Sequence, residues 1–439
     1  MMERSFDSFG RVDRRRRRFL PLDTLEADFA DALSGGATLL PFGNGCSYGD
    51  SCHNDAGFLA PMQARKRILH FDPDTGSLTA ESGVLLSEII AHVAPHGYFL
   101  PVTPGTQFVT LGGAIANDVH GKNHHLRGTF GCHVKEMDLR RSDGDHYRCS
   151  DTENVGLFHA TIGGMGLTGL ILRATIRLMR VGGLDIEEKI LSFANLDSYF
   201  DMAEAADREN EYAVAWVDQL SDGRGLLMVG NHAARPAGTY ISRAARFGVP
   251  FELPFSALNR ASVSLFNAAY FRRKMHLKTA HRVPYQNFFY PLDSIRNWNR
   301  LYGPSGLYQH QSVIPFDAAR KVIPEMLEAS RSAGQVSFLT VLKRFGSVKS
   351  PGLMSFPMPG YTLTMDFPNR GGKTLELLDR LDRLTVEAGG RINPYKDQRM
   401  SAEVFAASYP RWRDFEIFRD RAFNSNFWRR TALTLGKAG

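Results

Sequence analysis

The stretch that most constrains how this chain can fold is Val102–His125, which reads VTPGTQFVTLGGAIANDVHGKNHH. Its small and apolar residues are interrupted by four glycines, Gly105, Gly112, Gly113 and Gly121. Glycine frees the backbone from the limits that a side chain imposes. Such a segment can bring main-chain N–H groups close to a ligand, and a pyrophosphate is the usual ligand. A glycine-rich core loop beside a solvated polar turn is the alternative.

Two further stretches are rich in glycine. Pro41–Asp50 reads PFGNGCSYGD and follows the apolar run Ala37–Leu40, whereas Thr161–Gly169 reads TIGGMGLTG. The latter contains the spacing G-x-G-x-x-G of a dinucleotide fingerprint, which requires a strand before it and a helix after it. Residues 170–178 instead alternate apolar residues with Arg and Thr, which is a strand pattern. We therefore exclude a Rossmann NAD site.

Length and composition predict a globular protein of two domains. The chain has 439 residues, more than one ordinary core accommodates, and its apolar fraction of 43% is typical of a soluble protein. The sequence contains neither a run of ~18 apolar residues nor an apolar leader, which favours the cytoplasm. The cysteines form no CxxC or zinc-like pattern, so we expect reduced thiols and no metal at Cys46, Cys52, Cys132 and Cys149.

The net charge of +7 favours anionic partners without selecting one. Five consecutive arginines, Arg14–Arg18, precede Phe19 and Leu20. This run is either a solvated basic arm or a patch that contacts an anionic membrane surface, where each basic residue contributes roughly 1 kcal/mol. No recognised nucleic-acid module accompanies the run, so we expect no nucleic-acid partner.

The second half of the chain has a different texture, with fewer glycine loops and more aromatic and charged residues. Residues 232–280 are irregular, basic and aromatic, and include Arg243 and Arg246. They form either a long loop packed on the domain or a mobile cover that accepts a lipid tail and rests on a membrane. Strands are predicted at residues 211–217 and 225–229, Ser337–Leu342 and Tyr361–Asp366, and a helix at Leu375–Ala388.

Together the three glycine-rich stretches resemble the PCMH-type FAD-binding domain of the vanillyl-alcohol oxidase family, and the likeness extends over almost the whole chain. It implies an α+β fold with an FAD-binding domain at residues 1–184, completed by 391–439. It also implies a substrate domain at 185–390, built on an antiparallel sheet with helices on one face. Tyr285–Asp293 and Tyr302–Ile314 resemble strands of that domain and are predicted as strands on this ground. FAD would be held by Gly43, Asn44, Gly45, Cys46, Ser47, Tyr48, Gly49, Gly105, Thr110, Leu111, Gly112, Gly113, Asn117, Asp118, Val119, His120, Gly121, Ile171 and Asn393.

The resemblance implies three catalytic residues. Lys396 matches a family lysine that would stabilise developing negative charge or accept the hydroxyl proton. A surface lysine paired with Asp397 is the alternative. His120 matches a family histidine at the flavin and would position the ring rather than act as the base. Tyr48 would stack on the flavin or only fill its loop.

Substrate-binding candidates lie mainly on the predicted strands of the second domain. Gln309 and Gln311 face the same side of a strand and would bind sugar hydroxyls or form a satisfied pair. Lys343 would hold a substrate phosphate as a point charge. The full set is Tyr290, Gln309, Gln311, Lys343, Thr364, Asp366 and Lys396.

Three positions depart from the family pattern. Cys46 stands where several relatives attach FAD through a histidine, and we expect non-covalent FAD. Thr364 stands where some relatives carry a cysteine that electrophilic inhibitors could trap. Asn393 replaces an aromatic residue before the lysine, which implies a different pocket beside the flavin.

The implied reaction is oxidation of the 2′-hydroxyl of a polyprenyl-phosphoryl-β-D-ribose to the 2-keto sugar. This would be the first half of an epimerisation to an arabinose donor for cell-envelope synthesis, completed by an NAD(P)H-dependent keto-reductase. The expected location is cytoplasmic, with peripheral contact at the inner face of the membrane. The runner-up is an FAD-dependent oxidase or dehydrogenase of a soluble alditol or aldonolactone. A flavin-binding scaffold without turnover is the non-enzymatic alternative.

Overall fold

A computed structural model gives the fold, and it describes residues 2–27, 29, 33–234, 247–277 and 279–436. Arg243 and Arg246 of the predicted basic segment lie outside the described residues. Strands and short helices alternate in the first 184 residues, and longer helices appear after them.

A four-stranded sheet opens the chain. Its second strand contains most of the arginine run, and Arg17 is buried between the carboxylates of Asp13 and Asp55. Arg14 pairs with Glu252, and Arg18 lies over the ring of Phe58. Arg16, Arg17 and Arg18 thus belong to a strand of the fold rather than to a solvated arm, whereas Arg14 and Arg15 precede the strand and are exposed. The strands are Met2–Ser5, Arg16–Phe19, Leu39–Phe42 and Phe58–Pro61.

A five-stranded antiparallel sheet follows. Two hairpins turn at Asp72–Gly76 and Asp143–Gly144, whose sequences DPDTG and DG are typical of turns. The segment after the Thr161–Gly169 stretch is a strand, as its alternation predicted, and it lies at the centre of the sheet. In sheet order the strands are Ile68–Asp72, Ser77–Glu81, Leu170–Arg177, Val134–Arg140 and His146–Ser150.

Short helices pack on this sheet, and one of them, Leu111–Ala116, is part of the central glycine-rich stretch. Thr110 caps one of them, since its hydroxyl accepts a hydrogen bond from the N–H of Gly113 at 3.1 Å. The helices of this half are Leu22–Ala27, Leu86–Val93, Leu111–Ala116, His124–Arg127 and Val155–Thr161. Two further short strands, Tyr98–Phe99 and Met179–Arg180, pair with each other in antiparallel orientation.

An antiparallel sheet of eight strands dominates the second half. Leu342, Leu363 and Met365 point to one face and are buried against three helices, Leu196–Glu209, Phe316–Ser332 and Gly372–Glu387. Alternate residues point to the opposite face, because successive side chains of a strand alternate. In sheet order the strands are His281–Val283, Ile186–Phe193, Gly225–His232, Tyr212–Val217, Thr340–Phe345, Gly360–Pro368, Leu307–Ile314 and Arg391–Ile392.

Two predictions for this half were wrong. The predicted strand Tyr285–Asp293 is the helix Tyr285–Phe289 followed by a helical turn, Pro291–Ser294. Its buried aromatic residues recur at helical spacing, Pro284 precedes the helix, and Pro291 is the first residue of the turn. The predicted irregular segment contains the helix Arg260–Lys274, in which Val263 and Asn267 are buried. So small a buried stripe leaves no clear helical pattern in the sequence.

The C-terminal segment connects the two halves. Its first strand, Arg391–Ile392, joins the edge of the eight-stranded sheet. The chain then runs back beside the first sheet, where the amide of Leu39 donates to the carbonyl of Ala422. Its helices are Ala402–Ser408, Trp412–Glu416, Asn426–Arg430 and Ala432–Leu435.

Candidate active site

A cavity of about 1160 Å³ lies between the glycine-rich loops of the first half and the open face of the eight-stranded sheet. All three glycine-rich stretches contribute to its wall, together with the segment that carries Asn393 and Lys396. The tertiary structure therefore brings together residues that are more than 300 positions apart in the sequence. The volume is that of a large ligand site.

The first glycine-rich loop presents main-chain donors to this cavity. Among the described residues, no acceptor lies within hydrogen-bonding distance of the N–H groups of Asn44, Gly45, Cys46 and Ser47. Gly45 adopts a left-handed conformation, with φ at 65°. The side-chain amide of Asn44 donates to the carbonyl of Phe108 and ties this loop to the central stretch. Successive unpaired N–H groups of this kind form an anion-binding concavity.

The central stretch was predicted to offer its main-chain N–H groups to a pyrophosphate, but three of them form hydrogen bonds within the protein. Those of Leu111 and Gly112 donate to the carbonyls of Val84 and Ser82, and that of Gly113 donates to the Thr110 hydroxyl. These three groups are thus satisfied within the protein and are not left for a pyrophosphate. The stretch still lines the cavity through Gly105, Thr110, Gly112, Gly113, Asn117, Asp118, Val119, His120 and Gly121.

Four of the predicted site residues lie behind the cavity wall. Gly49 packs on the carbonyl of Asp397, where a Cβ would come within 1.6 Å of the oxygen. Leu111 is buried in the core. The hydroxyl of Tyr290 is 2.6 Å from that of Thr103, and Asp366 accepts from the amide of Gln309 at 2.5 Å. These four residues support the wall rather than face the cavity.

The remaining predicted residues face the cavity. Gly43, Asn44, Gly45, Cys46, Ser47 and Tyr48 line one side, and Ile171 and Asn393 lie elsewhere in the wall. Gln309, Gln311, Lys343, Thr364 and Lys396 line the side formed by the sheet and the C-terminal segment.

Lys396 and Tyr48 form a close pair. The ammonium nitrogen of Lys396 lies 4.1 Å from the centre of the Tyr48 ring. Burial lowers the pKa of Lys396 to about 8, while the carboxylate of Asp366 acts in the opposite direction. Burial raises the pKa of Tyr48 well above its ordinary value, so this phenol stays protonated. A lysine with such a pKa can either carry a charge or accept a proton near neutral pH.

A hydrogen-bonded chain surrounds His120. Its Nε2 lies 3.0 Å from the amide nitrogen of Gln311, and its Nδ1 lies 3.4 Å from Nζ of Lys343. Asn393 donates to the side-chain oxygen of Gln311 at 2.9 Å. Burial above all lowers the pKa of His120 well below its ordinary value, so the ring is neutral.

Sequence reasoning missed a third lysine, Lys122. It lines the cavity, donates to the carbonyl of Phe288 and lies 4.5 Å from the centre of that ring. Burial, followed by the charge of Lys343, lowers the pKa of Lys122 to about 7. The only signal in the sequence was its place next to Gly121, which does not reveal the ring that covers it.

An apolar arm of the cavity was also not predicted. It is lined by Trp216, Met228, Tyr270 and Val341, with Lys274 and Glu188 in the same wall. Tyr270 and Lys274 come from the helix Arg260–Lys274, which places part of the segment predicted as irregular against the sheet. We call this region the apolar arm.

Comparison with known proteins supports a flavin-binding role for the glycine-rich loops. Residues 23–150 match the family model described as FAD binding domain. The decaprenylphosphoryl-beta-D-ribose oxidase of Mycolicibacterium smegmatis is 34% identical over 92% of this chain and 91% of its own length. An uncharacterized protein in the mprA 5′ region of Streptomyces coelicolor is 30% identical over 80% of this chain and all of its own length.

More distant relatives match only part of the chain. The L-gulonolactone oxidase of Mus musculus is 31% identical, over 31% of this chain and 30% of its own length. The fold and the loops thus define an FAD-dependent oxidoreductase with a PCMH-type FAD-binding domain. Within that class, the chain belongs to the family of the decaprenylphosphoryl-beta-D-ribose oxidase.

The residues present fit FAD. The unpaired N–H groups of residues 44–47 suit the pyrophosphate, and the cavity is large enough for a dinucleotide with a second ligand. When bound, FAD supplies the hydride acceptor. The protein itself contributes the lysines, the neutral His120 and the polar sheet face.

Proposed function

We propose that this protein oxidises the 2′-hydroxyl of a polyprenyl-phosphoryl-β-D-ribose to the 2-keto sugar with FAD as cofactor. The observation that carries the proposal is the similarity to the decaprenylphosphoryl-beta-D-ribose oxidase across both chains. The likeness to L-gulonolactone oxidase covers less than a third of the chain. Oxidation of a soluble alditol or aldonolactone is therefore the less supported alternative.

The cavity supports an amphiphilic substrate. Its polar part presents Gln309, Gln311 and Thr364 for sugar hydroxyls, and Lys343 for a phosphate. The apolar arm offers aromatic and aliphatic surface for the first isoprene units of a lipid. A free polyol would leave that surface without a ligand.

The proposed catalytic roles follow from position and charge. Lys396 stabilises developing negative charge, and its lowered pKa also allows its neutral amine to accept the hydroxyl proton. His120 stays neutral and orients the reacting groups. Tyr48 packs against Lys396 and limits the positions that this side chain can adopt.

We also propose that the chain is organised as an FAD-binding domain at residues 1–184 and 391–439 and a substrate domain at 185–390. The sheet topology supports this division in part, since the four- and five-stranded sheets end at Arg177 and the eight-stranded sheet starts at Ile186. The strand Arg391–Ile392 belongs to the eight-stranded sheet, so the chain returns to the FAD-binding domain only after this strand.

The proposal includes two partners. A 2-keto product needs an NAD(P)H-dependent keto-reductase to become the arabinose epimer. A lipid substrate favours peripheral contact with the inner face of a membrane, and exposed Phe247, Phe251, Phe255 and Leu265 support such contact. No described helix is long and apolar enough to cross a bilayer.

The test is anaerobic mixing of the FAD-loaded protein with polyprenyl-phosphoryl ribose. Loss of the visible flavin absorption, together with a 2-keto product identified by mass spectrometry, is the expected result. Persistence of the flavin band with this lipid, but its loss with a free alditol or aldonolactone, would favour the alternative. Flavin that neither substrate bleaches would favour a scaffold.

A further inference from the structure

One main-chain donor fixes the orientation of the side-chain amides near His120, that is, which end of each amide is oxygen and which is nitrogen. The main-chain N–H of Tyr395 donates to Oδ1 of Asn393 at 3.0 Å. A main-chain N–H is always a donor, so this bond fixes which end of the Asn393 amide is oxygen. Its other end is the NH2 group, which donates to Oε1 of Gln311 at 2.9 Å.

The orientation of the Gln311 amide, and with it the protonation of His120, follows from that of Asn393. With its oxygen used by Asn393, the Gln311 amide turns its NH2 group to His120 and to the hydroxyl of Thr362, at 3.0 and 3.2 Å. Nε2 of His120 must therefore accept. A neutral imidazole with Nε2 as acceptor carries its proton on Nδ1.

The proton on Nδ1 determines what Lys343 can do. Nδ1 lies 3.4 Å from Nζ of Lys343, and an N–H can donate to a lysine only when that lysine is a neutral amine. Two titratable lysines that interact with Lys343, Lys396 on the C-terminal segment and Lys122 on the central stretch, disfavour a charge on it when they are protonated. His124 also faces Lys343, but burial lowers its pKa to about 3, so its ring is neutral.

We infer that Asn393 is a positioning residue: through Gln311 it fixes the Nδ1–H tautomer of His120, which holds Lys343 as a neutral amine until an anionic substrate binds. This inference rests on the proposed function for its substrate, a phosphodiester that would pair with Lys343 as an ammonium ion. Protonation of Lys343 would then end its contact with His120 and leave Nδ1–H available to the sugar. Burial, followed by the charge of Lys396, lowers the pKa of Lys343 to about 8, which leaves roughly a tenth of this side chain neutral at pH 7, and the contact with Nδ1–H favours that neutral form further.

The first test is the tautomer of His120 in the FAD-loaded protein without substrate. Nitrogen NMR of the histidine-labelled protein, assigned with His120→Asn, should show the proton on Nδ1. In Asn393→Asp the carboxylate accepts where the amide donated, so Gln311 should turn over and the proton should move to Nε2. A proton on Nε2 in the unmodified protein, or an unchanged tautomer in Asn393→Asp, would overturn the inference.

Two variants separate this effect from charge and from damage to the fold. Asn393→Leu removes the donor without adding charge and should give a mixture of both tautomers. Asn424→Asp changes another buried asparagine whose oxygen accepts a main-chain N–H, at Ser425, and should leave the tautomer unchanged. If Asn393→Leu keeps the Nδ1–H tautomer, Asn393 does not position His120.

The second test uses the pH dependence of KM. Substrate phosphate needs the ammonium form of Lys343, so KM should rise about tenfold for each pH unit above the lysine's pKa. In Asn393→Asp, Nδ1 becomes an acceptor for Lys343 and a carboxylate lies nearby, so this rise should move to higher pH. A KM profile that does not move would overturn the role of Lys343. Because the tautomer of His120 is measured without substrate, failure of the protein to oxidise the lipid would contradict the proposed function but not the positioning role of Asn393.

Discussion

At the scale of single residues, Lys396 is the group on which the proposed chemistry most depends. Lys396→Met should reduce the anaerobic rate of flavin reduction by about 10²–10⁴-fold, since a positioned charge or proton acceptor contributes that much. Retained FAD, measured by absorbance, distinguishes this effect from loss of cofactor. The exposed Lys321→Met is the matched control, and an equal rate in both variants would remove Lys396 from the mechanism.

The lowered pKa of Lys396 gives a second prediction. If its neutral amine accepts the proton, the rate of flavin reduction should increase with pH through about 8 and level off above it. The ammonium form dominates below that pH, so only roughly a tenth of the molecules are active at pH 7. Stopped-flow measurements from pH 6 to about 10 test this. A rate that falls through the same range would assign catalysis to the ammonium form.

Cys46 gives a third prediction at this scale. Burial raises the pKa of its thiol to about 11, so little nucleophilic thiolate is present near neutral pH. We expect all flavin to be released when the holoprotein is precipitated with acid. Intact-protein mass spectrometry should then give the mass of the bare polypeptide. A mass increase equal to FAD, lost in Cys46→Ser, would show a covalent link instead.

At the scale of elements, the first glycine loop and the C-terminal segment depend on each other. Gly49→Ala would place a Cβ 1.6 Å from the carbonyl oxygen of Asp397, so that the segment carrying Lys396 must move. We expect a loss of about 3 kcal/mol or more in the free energy of unfolding, as for other overpacked sites.

Denaturant unfolding of the variant measures this loss. Gly372→Ala is the control, because an added Cβ there meets no atom within 4 Å. It should leave the free energy of unfolding unchanged or slightly increased, since alanine favours a helix. If Gly49→Ala were as stable as this control, the close approach would not constrain the loop.

At the scale of the whole molecule, exposed apolar side chains are concentrated between residues 247 and 277. Phe247, Phe251 and Phe255 are more than half exposed, and the nearby helix Arg260–Lys274 ends with three basic residues. Basic and aromatic groups together favour an anionic membrane surface. In the arginine run, Arg17 is instead buried in ion pairs, and Arg14 and Arg18 contact Glu252 and the ring of Phe58.

Membrane contact can be tested with vesicles. Replacing the three phenylalanines by serine should weaken sedimentation with anionic phosphatidylglycerol vesicles by at least about 100-fold, given the apolar area removed. Binding of the unmodified protein should also weaken with added salt. Ile417→Ser removes an exposed apolar side chain from the C-terminal region and should have no effect. Equal binding of both variants would exclude this surface.

The sequence by itself determined the class of this protein and much of its local structure. The glycine stretches, the hairpin turns at Asp72–Gly76 and Asp143–Gly144, and the alternation of residues 170–178 depend on nearby residues only, so they can be read along the chain. The helix Arg260–Lys274 could not be predicted, because only a narrow stripe of it is buried. The aromatic spacing at Tyr285–Phe289 fits a helix, but a segment this short does not separate helix from strand without the tertiary structure.

Only the tertiary structure decided how the candidate site is arranged. It left the N–H groups of residues 44–47 unpaired within the described chain while satisfying those of residues 111–113, and it gave Gly49 a packing role against Asp397. It also joined Asn393, Gln311 and His120, which are far apart in sequence, into one chain of donors and acceptors. Residue types specify which hydrogen bonds are available, but long-range packing determines which groups meet.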